Sequence, residues 1–217
     1  MIILDFDGVL FDDERFKRDY WRLFRRHGVA HRIHQAAYAE SKAMHRGGYR
    51  HDLHLSFIRK RVPAFKIADA QRDIHKLLAG SAAYLYRDAK PFLRHWKSKG
   101  ETLALVSSGN AFQKRKVRAS GLSPFFRATV VADTTDKVDP VRTLVRGSRA
   151  ARAVFIDDRK NFVDAVKRNF PRILVVQMIR RKDQERSTRA DVIVRNLAQA
   201  RRVIEERIAR PPGARGY

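Results

Sequence analysis

The chain begins MIILDFDGVLFDDERF over residues 1–16, and this stretch decides how the rest of the sequence is interpreted. The apolar run predicts a short strand over residues 2–5, and Asp5 and Asp7 stand at its end, directly before Gly8. Two carboxylates at the end of a buried strand repel each other and lose hydration. The pair therefore needs a cation, a proton or a polar pocket, and it marks a candidate functional site.

Length and composition indicate a globular protein. The 217 residues are 44% apolar, which is enough for one sizeable core. No apolar stretch approaches the roughly 18–20 residues that a membrane span needs, and residues 1–4 do not read as a leader peptide. The absence of cysteine excludes disulfides and thiolate metal sites. We expect a cytoplasmic protein with no membrane partner, and the sequence gives no signal for an oligomeric state.

The charge is strongly positive: 47 Lys+Arg stand against 23 Asp+Glu, a formal net charge of +24. Such a field attracts phosphate esters, nucleotides and nucleic acid. The basic residues are spread along the chain, although Arg18, Arg22 and Arg25 crowd the first predicted helix. We therefore expect weak, sequence-independent nucleic-acid binding rather than one dedicated surface.

From Glu14 the apolar pattern changes to a helical period. Apolar or aromatic side chains recur at helical spacing, at Phe16, Tyr20, Leu23, Phe24 and His27. Further helical patterns cover residues 33–46, 51–61 and 67–80, and Gly47–Gly48 separate the first two of these. No strand pattern occurs over residues 14–83. The sequence thus predicts a helical unit over residues 14–87.

After Pro91 short apolar strands alternate with helices. Strands are predicted over residues 102–106, 128–132, 153–156, 173–177 and 191–194. Helices are predicted over residues 91–99, 110–119, 139–146, 160–169 and 197–209. This alternation is typical of an α/β fold with a parallel sheet covered by helices on both faces.

In such a sheet, ligands bind outside the carboxyl ends of the strands. After the first strand come Asp5 and Asp7, and the next strand ends carry LVSSGN (105–110), DTTDKVDP (133–140) and FIDDRKN (155–161). These segments place Ser107, Lys137, Asp157 and Asp158 at the same edge. Carboxylates from two strand ends can hold Mg²⁺, and a carboxylate can attack phosphorus. A second carboxylate can act as acid and base, while hydroxyl and ammonium groups stabilise phosphoryl oxygens.

These segments resemble the four motifs of the haloacid dehalogenase-like superfamily, whose members are mostly phosphatases. The resemblance implies that Asp5 is the nucleophile and that Asp7 is the acid/base, with a backbone carbonyl that binds the metal. It implies Ser107 as the phosphate-binding hydroxyl and Lys137 as the phosphate-binding lysine. Asp158 would be a metal ligand, with Asp157 beside it. The substrate-binding set would include Ser108, Gly109, Asn110 and Arg46.

The resemblance covers nearly the whole chain and implies its architecture and activity. The fold would be a Rossmann-like core, residues 1–13 and 88–210, with an inserted α-helical cap over 14–87 and a flexible tail over 211–217. The activity would be Mg²⁺-dependent hydrolysis of a small phosphomonoester through an aspartyl-phosphate. Dehalogenases of this superfamily lack the second aspartate, so Asp7 favours phosphoryl transfer. The loop at Gly47–Gly48 would bring groups near the leaving group, among them Lys42, His45, Arg46 and Tyr49.

Several alternatives stay open at this stage. Val138 replaces the proline that usually follows the third-motif lysine, and Lys114 and Lys116 are the substitutes for Lys137. Ser108 is a second choice for the phosphate-contacting hydroxyl. Two groups of histidines, His27, His31 and His34, and His51 and His54, suggest a metal site, but Gly28 interrupts the helix of the first group and no carboxylate set accompanies them, so a zinc role is not expected. The alternative function is a basic nucleic-acid-binding protein, or a phosphatase of nucleic-acid ends, on the same fold.

Overall fold

The computed structural model describes residues 1–44, 49–132, 136–146 and 152–209. Arg46, Gly47 and Gly48 and the tail from residue 211 therefore lie outside the described residues, and the predictions made for them stay predictions. The strands are β1 (Ile2–Leu4), β2 (Leu103–Ser108), β3 (Ala128–Ala132), β4 (Val154–Asp157), β5 (Leu174–Met178) and β6 (Val192–Val194).

The six strands form one sheet in the order β3-β2-β1-β4-β5-β6, and every pairing is parallel. The predicted parallel sheet is thus confirmed. β1 lies between β2 and β4, with Leu4 in register with Leu105 on one side and Ile156 on the other. This register brings the carboxyl ends of β1, β2 and β4 together, as the argument from strand ends required.

The strands that carry Ser107 and Asp157 end later than the sequence pattern predicted. β2 continues through Ser107 and Ser108, and β4 includes Asp157. The apolar pattern stops at the first polar side chain, whereas the backbone hydrogen bonds of the sheet continue past it. Ser107 and Asp157 are consequently buried within strands and are held more rigidly than loop residues would be.

The helices are α1 (Asp13–Arg26), α2 (His31–Ala43), α3 (His51–Arg61), α4 (Ile67–Ala79), α5 (Ala89–Ser98), α6 (Ala111–Ala119), α7 (Val138–Val145), α8 (Lys160–Asn169) and α9 (Leu197–Ala209). Short 3₁₀ helices lie at Ser81–Tyr84 and Ser123–Phe125. α5 begins two residues before the predicted start at Pro91, because proline is tolerated in the first turn of a helix. α1 begins at Asp13 because Asp12 caps it, with Oδ1 accepting from the Arg15 N–H at 2.9 Å.

Side chains of the sheet alternate between two apolar clusters. Ile2, Leu4 and Ile156 face the cluster that includes α5 and α9, whereas Ile3 and Phe155 face the cluster that includes α7 and α8. Both faces of the sheet are therefore covered, which explains why its central strands read as continuous apolar runs.

The helical insert, α1–α4, lies in sequence between β1 and β2, and residues 13–44 and 49–79 of it contain no strand. The predicted face of α1 is buried, with Phe16, Tyr20, Leu23 and Phe24 in the core. The chain returns to the sheet beside its starting point, because Phe11 bridges Leu85. The exact boundary between cap and core stays a prediction. None of the described helices is both long and apolar enough to cross a membrane.

Candidate active site

The carboxyl end of β1 places Asp5 against a buried ammonium group. The side chain of Asp5 is buried, and its Oδ1 accepts from the Phe6 N–H at 2.7 Å and lies 2.7 Å from Lys137 Nζ. Lys137 is buried as well, and its Nζ donates to Asp157 Oδ2 at 2.7 Å. The lysine therefore bridges the ends of β1 and β4.

The three candidate lysines differ in whether they contact Asp5, the predicted nucleophile. Lys137, directly before α7, contacts Asp5, although Val138 replaces the usual proline. Lys116 contacts Asp7 instead, and Lys114 is exposed on α6. The geometry thus favours Lys137 over both substitutes as the lysine beside the nucleophile.

Three carboxylates meet at this edge and could hold a metal ion. Oxygen atoms of Asp5, Asp157 and Asp158 all lie within 4.8 Å of one another. Burial raises the pKa of Asp5 to about 7, against the opposing effect of Lys137, and burial together with Asp157 raises the pKa of Asp158 to about 8. A raised pKa means that burial and the neighbouring carboxylates disfavour the charged form of each aspartate. A divalent cation would offset this effect with its positive charge.

The donor chemistry of the cluster fits Mg²⁺. All its donors are carboxylate oxygens, the ligands that a hard cation prefers. The two Asp157 oxygens already accept from Lys137 and from the Arg159 N–H, at 2.7 and 2.9 Å. Asp158 Oδ1 is buried and has no hydrogen-bond partner among the described residues. Asp158 therefore offers an oxygen with no partner among the described residues, whereas both oxygens of Asp157 are already hydrogen-bonded.

Gly8 allows the loops after β1 and β4 to approach each other. Its φ is +72°, in the region that disfavours side chains, and a Cβ there would lie 2.4 Å from Asp158 Oδ2. Only glycine satisfies both conditions at this position. The glycine that follows the two aspartates is thus part of the geometry that places Asp158 beside Asp5.

Asp7 has two partners on α6. Lys116 Nζ donates to its Oδ1 at 2.6 Å, and Gln113 Nε2 donates to its Oδ2 at 2.8 Å. Lys116 is buried among aromatic rings, with Nζ 4.8 Å from the Phe11 ring centre and 5.3 Å from that of Phe16. Sequence reasoning missed Gln113. Its spacing of three residues from Lys116 on one helix was the available signal.

The end of β2 supplies two hydroxyls in different states. Ser107 is buried, and its Oγ accepts from Gln113 Nε2 at 2.9 Å, so it belongs to the same network as Asp7. Ser108 Oγ is buried and has no hydrogen-bond partner among the described residues. Both predicted hydroxyls therefore lie at the end of β2, and only that of Ser108 has no hydrogen-bond partner among the described residues. Gly109 lets α6 approach closely, since a Cβ there would lie 2.5 Å from Gln113 Cβ.

The side chain of Asn110 makes two hydrogen bonds within the protein. Its Oδ1 caps α6 by accepting from the Phe112 N–H at 3.0 Å, and its Nδ2 donates to the Tyr49 carbonyl at 2.7 Å. The side chain lines the cavity beside the site, but its hydrogen bonds hold the helical insert against the sheet edge. Its predicted role in substrate binding stays a prediction.

A cavity of about 470 Å³ lies between the sheet edge and the helical insert. Asp7 and Ser108 line it on the side of the sheet edge, and Tyr38, Lys42 and Tyr49 line it on the side of the insert. The family resemblance implied a position near the leaving group for Lys42 and Tyr49. A second cavity of about 500 Å³ adjoins it and reaches Asp158. The two cavities share Asp7, Asp13, Lys17, Arg159 and Asn161. Together the two cavities provide room for a small molecule that contacts both Asp7 and Asp158.

The family model of the haloacid dehalogenase-like hydrolases matches residues 1–169, well over half of the chain. With the parallel sheet and the aspartates at its edge, this match defines the class: the chain belongs to the haloacid dehalogenase-like hydrolases. The predicted family and fold class are thereby confirmed. The search of curated proteins gave no match.

Solved structures of the same fold cover almost the whole chain. A protein described as a haloacid dehalogenase-like hydrolase, from Burkholderia xenovorans LB400, is 19% identical with a TM-score of 0.72, over 96% of both chains. A HAD phosphatase from Thermococcus onnurineus is 22% identical with a TM-score of 0.65, over 94% and 96% of the two chains. A 2-haloacid dehalogenase from Pseudomonas syringae pv. Tomato is 17% identical with a TM-score of 0.64, over 94% and 97%. At these identities the likeness establishes the fold alone.

Proposed function

We propose that this hydrolase is a Mg²⁺-dependent phosphatase that acts on a small phosphomonoester in the cytoplasm. The observation that carries the proposal is the second aspartate, Asp7, which lines the cavity and is oriented by Lys116 and Gln113. A carboxylate held there can transfer a proton to and from a reacting oxygen. Hydrolysis of a carbon–halogen bond has no leaving oxygen to protonate.

In the proposed first step, a carboxylate oxygen of Asp5 attacks the phosphorus atom and the bond from phosphorus to the ester oxygen breaks. The product is an aspartyl-phosphate at Asp5. Asp7, in its protonated form, gives its proton to the leaving oxygen and becomes a carboxylate. Lys137 Nζ lies 2.7 Å from Asp5 Oδ1 and orients this carboxylate, and Ser108, which lines the cavity with a hydroxyl that is unpaired in the described part of the chain, would donate to a phosphoryl oxygen.

In the second step a water molecule attacks phosphorus and releases phosphate. The carboxylate of Asp7 takes the proton of that water, which restores both aspartates to their starting states. Mg²⁺ bound by Asp5 and Asp158 would neutralise the charge of the phosphoryl oxygens. The backbone carbonyl of Asp7 as a further ligand is an implication of the family resemblance.

The proposal is tested with purified protein on a panel of phosphate esters that includes p-nitrophenyl phosphate, and on 2-haloacids. We expect release of phosphate that EDTA abolishes, and no release of halide. Asp5→Asn should lower the turnover to background. Asp7→Asn should keep Mg²⁺ binding and lose about 10²–10⁴-fold in turnover, the usual contribution of general acid–base catalysis. Release of halide without release of phosphate would overturn the proposal in favour of a dehalogenase.

A further inference from the structure

Part of the wall of the cavity that Asp7 lines is aromatic. Phe112 meets Tyr49 edge to face, with ring centres 5.6 Å apart at 86°, and meets Tyr20 at 5.8 Å and 71°. Tyr38 adds a ring 5.0 Å from Tyr49. All four rings line the cavity, together with those of Phe16 and Phe162. The rings of Tyr38, Tyr49 and Phe112 are only half buried, so a ligand can cover them.

Two tyrosines of this wall, Tyr20 and Tyr49, have hydroxyl groups that are already hydrogen-bonded, so they present ring surface to a ligand. Tyr20 Oη and Tyr49 Oη lie 2.5 Å apart, and Tyr49 Oη lies 2.8 Å from His54 Nδ1. His54 is fully buried, and its Nε2 is 3.2 Å from the His34 carbonyl. The hydroxyls of Tyr20 and Tyr49 therefore have partners inside the insert. The wall offers a leaving group edges and faces of rings, which attract another ring better than they attract a polar chain.

A cation stands at the edge of the aromatic wall. Lys42, exposed on α2, has its Nζ 5.6 Å from the centre of the Tyr38 ring and lines the cavity. Within the described residues it has no carboxylate partner. Lys17, which lines the same cavity, is already paired with Asp13 at 2.6 Å and Glu14 at 3.0 Å. Among the described residues of the insert that line the cavity, Lys42 is therefore the cation that can meet a negative group on a substrate.

We propose that the preferred substrate is a phosphomonoester whose leaving group contains an aromatic ring with an anionic substituent, such as a carboxylate. The inference rests on the proposed phosphatase activity and narrows its substrate. The ring would lie against Tyr38, Tyr49 and Phe112, and the anion would meet Lys42. A cavity of about 470 Å³ suits a leaving group of one or two rings.

The test compares three primary-alcohol esters whose chemical reactivity is similar: cyclohexylmethyl, benzyl and 4-carboxybenzyl phosphate. We expect kcat/KM to be about 3- to 10-fold higher for benzyl than for cyclohexylmethyl phosphate, from the ring contacts. We expect a further gain of about threefold for 4-carboxybenzyl phosphate, from Lys42. Lys42→Met should remove only the second gain, and Tyr38→Leu should reduce the first.

The matched control is Lys60→Met. Lys60 is also an exposed lysine over an aromatic ring, 5.7 Å from that of Phe57, but it is not among the residues that line the cavity. Both gains should survive in this variant. Equal kcat/KM values for benzyl and cyclohexylmethyl phosphate, or a carboxylate gain that persists in Lys42→Met, would overturn the inference and leave the phosphatase proposal standing. If the protein hydrolysed neither p-nitrophenyl phosphate nor any of the three esters, both the substrate inference and the phosphatase proposal would be overturned.

Discussion

Lys116 Nζ lies 2.6 Å from Asp7 Oδ1, and the pair joins two segments that are 109 residues apart in sequence. The ammonium group is buried, while the Asp7 side chain keeps 20% of its surface exposed toward the cavity. Hydrogen bonds from Lys116 and Gln113 on α6 therefore orient both carboxylate oxygens, while part of the side-chain surface stays open to a ligand. Lys116 is thus a positioning residue for the proposed acid/base.

Lys116→Met tests that role. The methionine keeps a side chain beside Phe6 and Phe11 but loses the hydrogen bond to Oδ1, so that Gln113 alone holds the Asp7 carboxylate. We expect kcat with p-nitrophenyl phosphate to fall about 10²-fold, the cost of misplacing a reacting group by about 1 Å. The Mg²⁺ concentration for half-maximal activity should stay unchanged, because Lys116 lies outside the metal cluster.

The control for this change is Lys114→Met, an exposed lysine on the same helix. It should keep wild-type kcat. Equal losses in both variants would mean that the charge of α6, rather than the contact with Asp7, supports turnover.

Gly8→Ala should disrupt the metal cluster. The added Cβ would lie 2.4 Å from Asp158 Oδ2, so this aspartate must move. We expect weaker Mg²⁺ binding by calorimetry and loss of most activity. The backbone strain of an alanine at φ +72° adds a loss of about 1–2 kcal/mol in the free energy of unfolding.

Gly28→Ala separates these two effects. Gly28 has a φ of +74°, and a Cβ there would have no atom within 4 Å. It carries the same backbone strain without the clash, so it should lose similar stability and keep Mg²⁺ binding. If Gly28→Ala also weakened Mg²⁺ binding, the loss would reflect stability and not the position of Asp158.

His54 should make the fold less stable in acid. Burial and the neighbouring His34 lower the pKa of His54 from 6.5 to about 3. Between these values the unfolded chain takes up a proton that the folded chain does not, so the stability falls as the pH falls below 6.5. From pH 7 to pH 4.5 this one group should cost about 2–3 kcal/mol, at about 1.4 kcal/mol per pH unit.

The measurement is reversible urea unfolding at the two pH values. In His54→Gln the difference between pH 7 and pH 4.5 should shrink by about 2 kcal/mol relative to wild type, because glutamine does not titrate there. His31→Gln, which changes an exposed histidine, should keep the wild-type difference. A wild-type pH dependence in His54→Gln would show that His54 is protonated in the folded state.

The positive charge is predicted to support only weak nucleic-acid binding. Arg18, Arg22 and Arg25 are exposed on α1, and Arg94, Arg118 and Arg127 are exposed elsewhere. Changing either set to glutamate should weaken RNA binding to a similar extent and flatten its dependence on salt, because each set removes three scattered cations. Filter binding over a salt series measures both quantities. A collapse of binding confined to the α1 variant would instead indicate a dedicated surface on that helix.

The amino-acid sequence alone locates the sheet and its carboxyl edge, because short apolar runs bounded by polar residues are a local signal. Asp5, Ser107 and Asp158 are predictable for the same reason, since each follows or ends such a run, whereas Lys137 lies beyond the polar stretch 133–136 and is singled out only by the family resemblance. The predicted bounds of β2 and β4 are wrong by one or two residues, because backbone pairing continues where the apolar pattern stops.

Contacts between distant segments are not predictable in the same way. Asp7 meets Gln113 and Lys116 across more than a hundred residues, and no local pattern encodes that distance. Asn110 looks like a ligand in sequence, yet its amide is used by α6 and by the Tyr49 carbonyl. Polar residues at strand ends indicate a site, and the packing of the helices decides which of them remain free.

The central claim is that Asp5 becomes phosphorylated during turnover, and acid quenching followed by mass spectrometry tests it most directly. Asp7→Asn is incubated with Mg²⁺ and p-nitrophenyl phosphate, quenched, digested and mapped. Because this variant lacks the base for the second step, one phosphoryl group should accumulate on the peptide that contains Asp5, and it should be absent from Asp5→Asn/Asp7→Asn. Turnover in wild type with no phosphoryl group on this peptide, together with full activity in Asp5→Asn, would contradict the account.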